Sequence, residues 1–89
     1  MMQRQEERRK MTKDYYTTQD IMDVTHASRD TVYLWRDYGL MKMSRLSRSY
    51  GCSAAELKRF LAWAEGKELV NEEQIHYYAK KMMQSQLQQ

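Results

Sequence analysis

The chain has 89 residues with a formal net charge of +3, a length that predicts one small domain burying about 60–65% of the surface its unfolded form exposes. A single cysteine, Cys52, excludes an internal disulfide framework and a cysteine-cluster metal site, and the distant His26 and His76 have no metal-ligand spacing. No apolar run is long enough to span a bilayer and no signal peptide is evident, so we expect a cytoplasmic protein that uses no membrane, metal or cofactor.

The first 13 residues are basic. This segment has two acidic residues, Glu6 and Glu7, and five basic ones, which are Arg4, Arg8, Arg9, Lys10 and Lys13. Such a segment attracts a ligand of high negative charge, or is only a solvated and disordered tail. Both interpretations of residues 1–13 stay open.

Two short amphipathic helices are predicted between Thr17 and Leu40, with a tight turn between them. Thr17 and Asp20 resemble a capping box at the start of the first helix. Ser28 is the predicted N-cap of the second, and Gly39 ends it where a positive φ favours glycine. The predicted core residues of this pair are Tyr16, Ile21, Val24, Val32 and Trp35. A helix-turn-helix presents its second helix to the major groove of DNA in this arrangement.

Residues 40–52 lack helical spacing. Their rough alternation predicts two short strands joined around Ser47 and Arg48, with Gly51 allowing a bulge or a close approach. Lys42, Arg45 and Arg48 give this segment a positive charge, and residues 41–50 contain no acid.

Two further helices follow the strands. Ser53 and Glu56 form a complete Ser-x-x-Glu capping box, and the helix they open is predicted to end at Gly66. Asn71 and Gln74 open the last helix, which runs into a glutamine-rich end that we expect to fray. The apolar positions of the two helices are Leu57, Phe60, Leu61 and Ala64, then Ile75, Tyr78, Ala79 and Met82.

The chain resembles a known family between roughly residues 15 and 64. The runs Tyr16–Ile21, Ala27–Trp35 and Gly39–Leu40 are similar to the MerR-type winged helix domain in its small phage-excisionase form. Ser-Arg-Asp-Thr-Val-Tyr-Leu-Trp, residues 28–35, is the most diagnostic part. Tyr50–Ser53 and Glu56–Leu61 match the end of the family's wing and its following helix. The chain departs from the family at His26, where glycine is usual, and in a wing without paired glycines.

The resemblance implies a mainly α fold, a winged helix-turn-helix of the order helix, helix, β-hairpin, helix, with an additional C-terminal helix. It divides the chain into a basic tail (1–13), the DNA-binding domain (14–66) and a C-terminal amphipathic helix (67–89). The implied function is sequence-specific binding and bending of double-stranded DNA, which helps a tyrosine recombinase (an integrase) to excise a mobile element. Self-association through the C-terminal helix is a further expectation.

The candidate DNA-binding residues lie at the helix starts, on the second helix and on the hairpin. They are Thr17, Thr18, Ser28, Arg29, Asp30, Tyr33, Arg36, Asp37, Lys42, Arg45, Ser47 and Arg48. Arg29 could contact guanine or a phosphate, and Tyr33 a phosphate or a thymine methyl group. Helical periodicity puts Asp30, Tyr33, Leu34 and Asp37 opposite the core, with Arg29 and Arg36 on a flank nearer to it.

Each candidate group has a plainer interpretation. Arg29 could form only a surface ion pair, and the hairpin cations could serve only to discourage edge pairing. Thr17, Thr18 and Ser28 could serve only as helix-start residues. Asp30 and Asp37 repel phosphates unless they are paired, although an aspartate in the groove can accept from cytosine N4.

Other functions stay open beside excision. A transcriptional regulator such as a prophage repressor, or a packaging-type DNA-recognition subunit, would use the same surface. A protein–protein adaptor is an alternative of another class, in which the stripe of Ile75, Tyr78, Ala79 and Met82 docks a partner. No Ser-His-Asp arrangement or glycine-rich phosphate loop is present, so we expect no enzyme activity.

Overall fold

The computed structural model of the protein describes residues 12–87. Within this range the chain is mainly helical, with four helices and one small antiparallel sheet. In chain order the elements are β1 (Tyr15–Thr17), α1 (Thr18–Thr25), α2 (Arg29–Asp37), β2 (Gly51–Ser53), α3 (Ala54–Ala64) and α4 (Glu72–Leu87). The prediction of a basic tail falls on residues outside the described range, except for residues 12 and 13.

Both helices of the N-terminal pair begin at the predicted caps. Thr17 Oγ1 accepts a hydrogen bond from the backbone N–H of Asp20 (3.2 Å), and the Asp20 carboxylate accepts from the N–H of Thr17 (3.1 Å). The reciprocal capping box is therefore confirmed, with Asp in place of Glu. Ser28 Oγ accepts from the N–H of Thr31 in the same way at the start of α2.

Two residues with positive φ end these helices. His26 lies in the left-handed region (φ 62°) and donates its N–H to the Met22 carbonyl (2.7 Å), which stops α1. Gly39 (φ 78°) follows α2, as predicted. The chain then reverses so that the N–H of Leu40 reaches the Trp35 carbonyl (2.8 Å), and Leu40 enters the core.

The sheet differs from the predicted hairpin. β2 pairs with β1, with Tyr16 opposite Cys52, and residues 40–50 contribute a single bridge between Ser44 and Gly51. The expectation of two strands joined around Ser47 and Arg48 is confirmed only in part, because the antiparallel bridge encloses these two residues but the strand-length pairing of β2 is with β1. Residues 45–48 are all exposed and bury no side chains across a hairpin, whereas β1 places the buried Tyr16 opposite the buried Cys52 of β2.

Gly51 allows the close approach that its position predicts. A Cβ atom there would lie 2.5 Å from the Tyr16 carbonyl oxygen and 2.6 Å from the Tyr15 hydroxyl. No side chain larger than hydrogen fits between the paired strands without displacing this backbone.

One hydrophobic core joins all four helices. The predicted core residues Tyr16, Ile21, Val32 and Trp35 are buried, and the Trp35 ring packs on Phe60 with centroids 4.7 Å apart. The other buried apolar residues are Leu40, Met41, Cys52, Leu57, Leu69 and Ile75. Leu69 and Ile75 lie beyond Gly66, so the C-terminal segment shares the core of the helices before it.

Only one of the two hydrogen bonds of the capping box predicted at the start of α3 forms. Ser53 Oγ accepts from the N–H of Glu56 (3.1 Å), as a cap should. The Glu56 carboxylate does not complete the box; it accepts from the N–H of Lys42 and from the Arg59 guanidinium. The predicted second bond is replaced by a charge-assisted pair with Arg59, one turn further along α3, and by the backbone N–H of Lys42.

α4 begins as its sequence predicts. Asn71 Oδ1 accepts from the N–H of Gln74 (2.9 Å), and Gln74 Oε1 accepts from the N–H of Asn71 (3.3 Å). The helix continues through Leu87, and residues 88–89 of the end expected to fray lie outside the described range. Across residues 12–87, none of the helices combines the length and the apolarity needed to cross a bilayer.

Candidate nucleic-acid interface

One face of α2 gathers Arg29, Tyr33 and Arg36, which are four and three residues apart. Arg29 is exposed, and the other two are partly exposed. Arg36, predicted with Arg29 on the flank nearer the core, is partly buried, and its guanidinium reaches to 4.6 Å from the centre of the Tyr33 ring. Leu34, expected on the outer face, packs against the core.

Arg29 connects the outer surfaces of α1 and α2. Its guanidinium donates to the side-chain carbonyl of Gln19 across 3.4 Å, a long hydrogen bond. The Arg29 guanidinium also lowers the pKa of the Tyr33 phenol, because it stabilises the phenolate. An arginine held this weakly is free to exchange Gln19 for a stronger acceptor such as a phosphate or guanine.

Arg36 has a more constrained position than Arg29. Its guanidinium lies over the Tyr50 ring at 4.2 Å as well as over Tyr33, and the two rings meet edge to face with centroids 6.3 Å apart. It also forms an ion pair with Asp37 at 2.8 Å. An unpaired aspartate here would repel phosphates. The negative charge of Asp37 is instead offset by Arg36 beside the candidate DNA-contacting face.

A basic loop, residues 45–50, lies beside this face. Hydrogen bonds of 2.8 and 2.9 Å between the backbones of Ser44 and Gly51 close it. Arg45, Ser47 and Arg48 are exposed on it, and the Arg45 guanidinium lies 5.9 Å from the Tyr50 ring. Leu46, which the sequence did not single out, is 75% exposed among these cations.

Lys42 precedes the basic loop and has an exposed side chain. Its backbone N–H is held by Glu56 at 2.8 Å, which fixes where the side chain leaves the surface. The structure therefore brings Arg45, Ser47 and Arg48 together on one loop and places Lys42 on the segment that leads into it.

The helix-start candidates divide into two groups. Thr17 and Ser28 are caps whose hydroxyls serve their own helices, and Ser28 is exposed at the start of α2. Thr18 is fully buried, and both its N–H and its hydroxyl donate to the Tyr50 carbonyl (2.8 and 2.7 Å). The expectation that Thr18 contacts phosphate is wrong, because its polar groups are used inside the protein.

The negative charges of the aspartates in α1 and α2 are partly offset by neighbouring groups. Lys13 forms an ion pair with Asp20 at 2.7 Å, and this hydrogen bond lowers the pKa of the Asp20 carboxyl. Asp23 accepts from the Gln19 amide (3.1 Å). Asp30 is exposed in the first turn of α2, where the positive end of the helix dipole stabilises a carboxylate.

The stripe proposed for an adaptor faces inward. Ile75 is fully buried, and Tyr78, Ala79 and Met82 pack against the core. The outer side of α4 carries instead the exposed Tyr77 and Met83.

Cys52 and His26 lie outside α2 and the basic loop. Cys52 is buried in β2, and burial raises the pKa of its thiol to about 11, so the thiol is protonated at neutral pH. His26 is exposed in the turn between α1 and α2.

Comparison of the chain with protein-family models, with curated proteins and with solved structures gives no match.

Proposed function

We propose that this protein is a small DNA-binding protein of the winged helix-turn-helix type, with α2 in the major groove and the basic loop on the neighbouring backbone or minor groove. The observation that carries the proposal is the continuity of one cationic surface. Arg29, Tyr33 and Arg36 share a face of α2, and Arg36 meets the basic loop at Tyr50. A helix face flanked by a basic loop suits the width of the major groove and the phosphates beside it.

Within this proposal the residues have separate roles. Arg29 and Tyr33 contact base edges or nearby phosphates at the start of α2. Lys42, Arg45 and Arg48 supply the electrostatic affinity, because the helix pair itself carries several acids. The exposed Leu46 suits a loop that enters a minor groove, where apolar side chains act as wedges between base steps.

The biological role that we propose is that of an excisionase, which bends DNA for a tyrosine recombinase and performs no bond chemistry itself. This step rests on the resemblance of residues 15–64 to that family. A transcriptional regulator would use the same surface, and the presence of an integrase gene beside this one would favour excision. The adaptor alternative would need a surface other than the stripe of α4, since that stripe packs on the core.

The proposal is tested by the salt dependence of DNA affinity. Duplexes selected from a random-sequence pool are titrated with the parent and with the double variant Arg45→Ala/Arg48→Ala at several salt concentrations. Each phosphate neutralised contributes about −0.9 to the slope of log K against log salt, so the double variant should have a slope shallower by about 2. Lys80→Ala, which removes an exposed lysine of α4, is the matched control and should keep the parent slope.

Arg29→Ala tests the helix in the same assay. We expect a loss of about 1–3 kcal/mol on the selected sequence and a smaller loss on unrelated duplexes, because a base contact is removed. Equal binding by parent and Arg29→Ala would exclude Arg29 from base contact. An affinity that is absent, or that does not respond to salt, would exclude DNA binding through this surface.

A further inference from the structure

Tyr50, which is absent from the sequence-predicted site, connects three parts of the molecule. Its backbone carbonyl accepts from both the N–H and the hydroxyl of Thr18, at 2.8 and 2.7 Å. Because Thr18 is fully buried at the start of α1, these bonds fix the main chain at the end of the basic loop.

The side chain of Tyr50 is fixed to α2. The Arg36 guanidinium lies 4.2 Å from the centre of its ring, and the Tyr33 ring meets it edge to face at 74°. Asp37 accepts from Arg36 Nε (2.9 Å) and lies 2.8 Å from Nη2, which limits rotation of the guanidinium plane. Planar stacking on an aromatic ring is a property of arginine that lysine does not share.

From these contacts we propose that Arg36 and Tyr50 form a clamp that holds the basic loop in one position against α2. The two are positioning residues: they keep Arg45 and Arg48 at a fixed offset from Arg29, so that the helix and the loop meet DNA as one rigid surface. The inference deepens the proposed function and rests on it for its DNA-binding consequence. It also assigns Arg36 a role other than the direct DNA contact that the sequence suggested.

The physical reason for a clamp is the composition of the loop. Residues 45–48 are exposed, and a single backbone bridge closes the loop at Ser44 and Gly51. Without a side-chain anchor the loop would have to be ordered during binding, at a cost in conformational entropy. The stacked Tyr50 ring orders it beforehand.

The test separates a clamp from a plain phosphate contact. Arg36→Lys keeps the positive charge and loses the stacking, whereas Tyr50→Leu loses the ring and keeps every charge. We expect each variant to bind the selected duplex about tenfold more weakly than the parent, and the double variant to be no weaker than either single one. Lys80→Arg, a charge-conserving exchange at an exposed position of α4 outside the proposed surface, is the control and should bind about as the parent does.

Two affinity results would overturn the clamp. One is parent-like binding by Arg36→Lys, which would show that charge alone matters at this position. The other is a double variant whose loss equals the product of the two single losses, which would show that Arg36 and Tyr50 act independently.

A measurement on the free protein makes the clamp testable without DNA. Backbone order parameters of residues 46–49 by NMR relaxation should fall in Arg36→Lys and Tyr50→Leu and stay at the parent value in Lys80→Arg. Unchanged order in the first two variants would overturn the clamp even if DNA binding were confirmed. Lower order in a protein whose parent form binds no DNA would keep the clamp and remove only the proposed function.

Discussion

Among residues 12–87, His26 is the non-glycine residue with a positive φ. It adopts φ 62° in the turn between α1 and α2, and its side chain is exposed. A left-handed conformation costs a residue with a Cβ atom roughly 1 kcal/mol, and glycine avoids this cost. The position is also the one at which the resembled family usually has glycine.

We predict that His26→Gly raises the free energy of unfolding by roughly 0.5–1 kcal/mol, because relief of the left-handed strain exceeds the added flexibility of the unfolded chain. A gain of 1 kcal/mol corresponds to about 4–8 °C in Tm for a domain of this size, which thermal unfolding measures directly. His26→Ala is the control, since it removes the same side chain but keeps a Cβ atom. An equal gain in both variants would attribute the effect to the imidazole instead.

At the scale of elements, Glu56 holds the start of α3 to the segment that follows α2. Its carboxylate accepts from the N–H of Lys42 at 2.8 Å and from two nitrogens of Arg59 at 2.8 and 2.6 Å. Arg59 in turn donates to the Leu40 carbonyl at 2.7 Å. The hydrogen bond from Arg59 is the largest cause that lowers the pKa of Glu56.

This lowered pKa makes a pH-dependent contribution to stability. A carboxyl whose pKa is lower in the folded than in the unfolded protein stabilises the fold above its ordinary pKa of 4.5, and this contribution is lost as the pH falls through the folded value. We predict that Glu56→Gln lowers the free energy of unfolding by about 1–2 kcal/mol at pH 7, from the loss of charged hydrogen bonds. The difference between parent and variant should shrink as the pH falls below about 4.5.

Denaturant unfolding of both proteins across this pH range measures that difference. Glu65→Gln is the control, because it makes the same change at an exposed position at the C-terminal end of α3, where a negative charge is not favoured by the helix dipole. It should cost little at any pH. A Glu56→Gln deficit that persists undiminished at low pH would contradict the ionic origin of the effect.

The helices could be predicted from the sequence because their start signals are local. The caps at Thr17, Ser28 and Asn71 each depend on residues within four positions of one another. The pairing of β1 with β2 joins residues more than thirty apart, and the rough alternation in 40–52 suggested a nearer partner.

In the candidate site, too, local features could be predicted from the sequence and long-range contacts could not. Arg29 and Tyr33 could be found from spacing and from the resemblance, and so could the cations of the basic loop. The contact between Arg36 and Tyr50 could not, because it depends on how the loop folds back on α2. Likewise, nothing local to Thr18 shows that its hydroxyl is taken by a carbonyl 32 positions away.

For the molecule as a whole, α4 and the segment that precedes it stabilise the helix that presents the candidate site. The indole N–H of Trp35 donates to the Leu69 carbonyl (2.9 Å) within the core, and the Tyr38 hydroxyl donates to Glu72 (2.6 Å) at the start of α4. Ile75 fills the same core from α4. The orientation of α2 therefore depends on a segment that lies outside the resemblance.

If α4 belongs to this single core, damage to it should weaken the entire fold. We predict that Ile75→Ala lowers the free energy of unfolding by about 2–4 kcal/mol, as expected for truncation of a fully buried isoleucine. Met83→Ala on the exposed side of the same helix should change it by less than about 0.5 kcal/mol. Near-ultraviolet circular dichroism reports the packing of the aromatic side chains, which include Trp35 and Trp63, and far-ultraviolet circular dichroism reports the helices. In Ile75→Ala both signals should change in one transition at lower denaturant than in the parent. Two separate transitions, one of them at the parent midpoint, would mean that α4 folds apart from the helix pair and that α2 keeps its orientation without it.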